Sequence, residues 1–288
     1  MKLGMVFPQN EIGNNPAQIK ALAQGIEAMG FDYLLIYDHI LGADPDHYTD
    51  GRKFIYTYQD PFHEVFVLFG WLAALTQKLE LVHGILILPQ RDAVLAAKQA
   101  VELDLLSEGR FRLGIGVGWN QAEMEGLGYE FRTRGARMDE QIALMRELWS
   151  KPLVNFAGKY HRVENLGLNP LPQHPIPLWV GGTADAPLKR AAQHGDGWIV
   201  SSVPVERVPE LMTTLRNYLA EFGRDASTFG VDVQLNPARL REETDQLKFI
   251  NFWREQGATH IRVNPMGIGL RSADDYLRLA EKFLKLVR

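Results

Sequence analysis

RFRLGIGVGWN, residues 110–120, sets Gly114, Gly116 and Gly118 two apart inside an apolar run. A period of two is that of a β-strand, so the three glycines share one face and Leu113, Ile115 and Val117 the other. The spacing departs from the G-x-G-x-x-G dinucleotide loop, which opens a helix directly after its strand. Glycine is costly inside a strand and marks the close approach of another backbone or a ligand. The run predicts a strand whose apolar face packs against helices and whose bare face meets something flat.

The same alternation recurs on either side. LGMVF precedes PAQIKALAQGIEAMG, DYLLIY precedes PFHEVFVLFGWLAALT, and LELVHGILIL precedes DAVLAAKQAVELDLLSEG. RFRLGIGVG leads to RTRGARMDEQIALMRELW. PLWVGG, GWIV, FGVDVQL and THIRVNP each lead to a further helical stretch. Strand–helix units repeated eight times specify a parallel sheet closed as a (β/α)8 TIM barrel, one α/β domain over residues 1–288. A doubly wound open sheet is the weaker alternative. Gly30, Gly109, Gly195 and Gly257 close helices and are expected in the left-handed conformation. Two segments interrupt the rhythm. Residues 41–60, after the second strand, are polar and tyrosine-rich and read as a lid over the active-site face. Residues 150–177, after the fourth helix, contain VNFAGKYHRV, a small hairpin.

Composition sets further bounds. A net charge of −4 over 288 residues gives no basis for binding nucleic acid or an anionic membrane. With no cysteine there is no disulfide, thiol nucleophile or iron–sulfur ligand. The opening MKLGMVFPQN lacks the apolar core of a secretion signal, and VFVLFGWLAAL (65–75) is too short to span a bilayer. A cytoplasmic protein is expected. The histidines form no H-x-H cluster at a strand end, so no metal site is expected, and G-x-S-x-G is absent.

RFRLGIGVGWN continued through MEGLGYEFRTRGARMDEQIALMRELW resembles the bacterial-luciferase-like flavin and deazaflavin oxidoreductases. FDYLLIYDHI, LVHGILILPQ, PLWVGGTADAPLKRAAQHGDGW and GATHIRV follow in the family's order across nearly the whole chain, and the resemblance is greatest to the branch using coenzyme F420. It implies an oxidoreductase that moves hydride between F420 and a small organic substrate, with homodimerisation as a family expectation. An FMN-dependent monooxygenase is the first alternative, and a non-catalytic flavin-binding protein the second. In the pair Asp38–His39, His39 matches the acid/base and Asp38 a positioning residue at the ring edge. Gly84 followed by Ile85 matches a bulge with a cis peptide that presses against the back of the ring. Gly116 and Gly118 leave room for that ring, and Asn120 matches a cofactor-contacting amide. Gly181, Gly182 and Thr183, just before a helix, match a phosphate site made of backbone N–H groups and a hydroxyl. Arg132, Arg134 and Arg137 could meet the anionic oligoglutamate tail of F420. Arg52 and Lys53 could clamp a substrate phosphate.

Overall fold

The computed structural model describes residues 1–49, 51 and 53–288. Arg52 therefore lies outside the described residues. Eight positions around a closed parallel barrel are filled by β1 (Lys2–Val6), β2 (Tyr33–Ile36), β3 (Glu80–His83), β5 (Phe111–Gly116), β8 (Leu178–Gly181), β9 (Gly197–Ile199), β10 (Gly230–Leu235) and β11 (His260–Val263). The order β3-β2-β1-β11-β10-β9-β8-β5 is closed by the pairing of β3 with β5. A two-residue strand, β4 (Leu86–Ile87), resumes the line of β3 and pairs with Ile115 and Gly116 of β5. β6 (Val154–Ala157) and β7 (Arg162–Leu166) form the antiparallel hairpin expected of VNFAGKYHRV.

Around the barrel run α1 (Pro16–Ala28), α2 (Val65–Leu75), α3 (Ala93–Leu106), α5 (Arg134–Ser150), α6 (Asp185–His194), α7 (Val208–Glu221), α8 (Glu243–Gln256) and α9 (Ala273–Val287). A short helix, α4 (Gln121–Gly126), is additional and follows β5. Side chains fix where these helices begin. Asn15, Glu64, Asp92 and Asn120 each accept a backbone N–H of the first turn, and Ser272 with Asp275 makes a reciprocal capping box. Gly30, Gly109 and Gly257 take positive φ as expected. Gly195 does not: its φ is −92°. Glycine is needed there for space, because a Cβ would stand 2.9 Å from the carbonyl oxygen of Ala191.

Glycines also shape the barrel interior. A Cβ on Gly4 would fall 2.2 Å from the ring of Tyr33, and one on Gly230 would fall 2.1 Å from the ring of Trp179. These two large rings fill the lower barrel, with the guanidinium of Arg112 held 4.9 Å and 4.2 Å from their centres. The lower barrel is therefore a packed plug, which confines open space to the end where the strands finish.

The expectation of three bare inward glycines on β5 needs correcting. A Cβ on Gly114 would lie 2.0 Å from the carbonyl oxygen of His83, so this glycine admits the backbone of β3. A Cβ on Gly116 would meet Ile85 at 2.7 Å, and Gly118 has φ +73° with Ile87 at 2.6 Å. The face is bare because the β3–β4 segment occupies it. Leu113 and Ile115, by contrast, are fully buried on the opposite face as expected.

Candidate active site

A cavity of about 430 Å³ opens at the C-terminal ends of the strands, within the usual size of a cofactor pocket. Its wall along β3, β5 and β8 is made by Gly84, Ile85, Gly116, Gly118, Gly181 and Gly182. The Gly84–Ile85 peptide is cis, at the bulge where the sequence resemblance placed it. Ile85 fits between two glycines: its side chain lies 2.7 Å from where a Cβ of Gly116 would stand and 2.5 Å from that of Gly181. The glycines thus seat Ile85, and Ile85 with the glycine backbone forms a flat apolar ledge along the cavity. A planar ring fits such a surface.

Asp38 and His39 both border the cavity, beyond the end of β2 rather than on opposite faces of it. Asp38 is buried, and its oxygens are already engaged. Oδ1 takes Arg91 Nη2 at 2.6 Å, while Oδ2 takes Ile87 N at 2.9 Å and Arg91 Nε at 3.3 Å. The carboxylate ties the bulge to the cavity mouth and holds β4 in place at the edge of the cavity it lines. His39 is differently placed. Its Nδ1 is 2.7 Å from Glu123 Oε2, and Tyr56, Phe62 and Trp119 surround the imidazole with ring centres 5.3, 5.0 and 5.5 Å away. With Nδ1 engaged, Nε2 is the nitrogen left for proton exchange.

Glu123 is one residue that sequence reasoning missed. Besides His39 it accepts Ile40 N at 2.6 Å, Leu41 N at 3.3 Å and Gln90 Nε2 at 3.2 Å. Burial alone would raise its pKa. The hydrogen bond and charge of His39, with the two backbone N–H groups, outweigh that and hold the carboxyl below its ordinary value. The available signal was N-x-x-E at residues 120–123, a helix-start pattern. Asn120 corrects another expectation. Its Oδ1 accepts Glu123 N at 3.3 Å to cap α4, and it borders a smaller pocket beside Ile40–Gly42, not the main cavity.

Gly181 and Gly182 line the cavity next to the start of α6, whereas Thr183 stands in the turn outside the lining. The carbonyl of Gly182, at φ +122°, accepts Trp198 Nε1 at 2.6 Å. No side chain caps α6, so its first N–H groups remain available to an anion, and the first-turn Asp185 is held by Tyr218 at 2.7 Å. Arg134 and Arg137 do not form an open basic cluster. Arg134 lies 3.7 Å over Phe131, and Arg137 stacks on Tyr129 and Tyr160. Lys53 is exposed and does not line the cavity.

The far wall holds Tyr37, Gln234 and Arg262, on β2, β10 and β11 or just past their ends. None of these was singled out by the sequence for a site role. The cavity thus has an apolar ledge on one side, an oriented imidazole at the rim and polar groups opposite.

The model of the luciferase-like monooxygenase family matches residues 1–261. The chain belongs to that family. An uncharacterised protein of Mycobacterium tuberculosis is 34% identical over 220 residues, covering 74% of each chain. The F420-dependent glucose-6-phosphate dehydrogenase of Kineococcus radiotolerans is 28% identical over 244 residues, 83% of this chain and 68% of its own. The solved structure of an F420-dependent secondary alcohol dehydrogenase with an F420–acetone adduct superposes with a TM-score of 0.81 at 17% identity, covering 100% of this chain and 99% of that one. That likeness is one of fold. The luciferase-like chain is an enzyme, and no helix among its described residues is long and apolar enough to cross a membrane.

Proposed function

We propose that this luciferase-like enzyme transfers hydride between coenzyme F420 and a small organic substrate. The observation that carries the reading is the Ile85 ledge, a side chain seated between Gly116 and Gly181, facing a cavity whose rim holds an imidazole oriented by Glu123. Gly84, Ile85, Gly116 and Gly181 would support the ring, and Gly182 with the uncapped start of α6 would meet its phosphate. F420, when bound, supplies a two-electron hydride donor or acceptor whose ring carbon resists oxygen. His39 holds or delivers the accompanying proton at Nε2. Tyr56, Phe62 and Trp119 keep bulk water from the imidazole. The family's name favours one second reading, an FMN monooxygenase, and the ledge accepts either ring.

The test is a screen of alcohols and carbonyl compounds against the absorbance of F420 with the purified protein, followed by His39→Asn on each substrate found. Loss of a general acid–base group lowers kcat by about 10²–10⁴-fold. The reading requires that loss together with a nearly unchanged Kd for F420. Near-native kcat would make His39 structural. F420 that binds but exchanges hydride with no member of the panel would count against the hydride-transfer reading.

A further inference from the structure

The wall opposite the Ile85 ledge has a fixed polarity, and a backbone group sets it. Met266 N–H can only donate, and it gives its hydrogen bond to Asn264 Oδ1 at 3.0 Å. Asn264 therefore presents its amino group to the Tyr37 hydroxyl oxygen, at 3.3 Å. Tyr37 in turn donates to Gln234 Oε1 at 2.7 Å. With the amide oxygen taken, the Nε2 amino group is the end of Gln234 left to face the cavity it lines. Gln9 clamps the backbone of Tyr37 from both sides, accepting Tyr37 N at 3.2 Å and donating to Tyr37 O at 2.9 Å. Burial raises the pKa of the Tyr37 hydroxyl, which keeps it a donor.

Arg262 borders the same wall at 2% exposure. Its Nη1 donates to Asp232 at 2.6 Å and its Nη2 to Val200 O at 3.0 Å, and its Nε has no partner among the described residues. Asp232 is shared with the Tyr33 hydroxyl at 2.7 Å and with Arg112 at 3.7 Å. Glu80 balances Arg112 at 3.1 Å. Of these charges the guanidinium of Arg262 is the one that lines the cavity. The two N–H bonds of the Gln234 amide therefore face the space above the ledge, beside the Arg262–Asp232 ion pair, while Tyr37 holds the amide oxygen away from it.

We propose that Gln234 forms the substrate's anchoring end, which selects a molecule carrying an acceptor oxygen, a carbonyl or a carboxylate, with Arg262 in the wall beside it, and that Tyr37 and Asn264 are positioning residues for it. This rests on the hydride-transfer reading and names the substrate class. An oxygen that only accepts satisfies Nε2, whereas a hydrocarbon leaves the donor unpaired.

Calorimetric titration with benzoate, acetophenone and toluene, without cofactor and with F420, tests the proposal. Benzoate or acetophenone should bind more tightly than toluene, and which of them leads tells carboxylate from carbonyl. Gln234→Leu should weaken the preferred probe by about three- to ten-fold and leave toluene unchanged. Tyr37→Phe should weaken it too with Gln234 intact, because the amide is released. Gln234→Glu, an exchange at a half-buried position that Tyr37 can still satisfy, should weaken benzoate most. No preference over toluene in the native protein, or equal losses for all probes in Gln234→Leu, would overturn the proposal. Kd for F420 measured alongside separates the two ideas. Absent F420 binding removes the hydride-transfer reading, while the probe preference in the cofactor-free protein still decides the anchoring end.

Discussion

Glu123 does three things with one carboxylate: it orients the imidazole of His39, it pins the backbone at Ile40 and Leu41, and it receives Gln90. Its lowered pKa carries a stability consequence of definite sign. A carboxylate whose folded pKa is depressed stabilises the fold above its unfolded value and ceases to do so as pH falls through the folded one. The native protein should therefore lose thermal stability as pH falls below the ordinary carboxylate range. Glu123→Gln, less stable near neutrality, should lose less over the same interval. Parallel acid profiles for the two proteins, followed by thermal melting, would show that Glu123 contributes no such linkage. The residue was visible in the sequence only as the fourth position of a helix-start pattern. Its bond to His39 spans 84 residues, and a contact between distant chain segments leaves no local signature.

At the scale of the element, strand β5 shows what local pattern conveys and what it omits. Period two placed the glycines on one face and buried Leu113 and Ile115 on the other. It did not show that the bare face is filled by the carbonyl of His83 and by Ile85 and Ile87. The distinction is testable because backbone cannot yield and a side-chain tip can. In Gly114→Ala the new methyl would stand 2.0 Å from the His83 carbonyl oxygen, and the barrel should be severely destabilised or fail to fold. In Gly116→Ala the obstacle is the end of Ile85 at 2.7 Å, which can rotate into the cavity. That variant should fold with at most about 1–3 kcal/mol lost and bind its ring cofactor less well. Equal melting temperatures for the two variants would refute this division. Gly195 teaches the same lesson at a helix end: glycine punctuation was read correctly as a stop, but the cause is a carbonyl at 2.9 Å rather than a left-handed turn.

For the whole molecule, the barrel was legible because each strand–helix unit announces itself locally and eight of them leave few ways to close a sheet. The near wall of the cavity was legible for a related reason. Gly84–Ile85, Gly116 and Gly181–Gly182 lie at strand ends, where the rhythm of the chain points to the active face. The far wall was not. Tyr37, Gln234 and Arg262 are ordinary strand residues in sequence, and only closure of the barrel turns them toward one space. Asp38 was found at the cavity, but its bonds to Arg91 and Ile87 were not foreseen, and Asn120 caps α4 beside a smaller pocket. In the proposed function this pocket serves a deazaflavin and hydride transfer. Its most direct test compares dissociation constants of F420 and FMN, each oxidised and reduced, with oxygen uptake recorded in the presence of organic substrates. F420 should bind more tightly than FMN, with no substrate-dependent oxygen uptake. Tighter binding of FMN, with oxygen consumed when substrate is added, would contradict it.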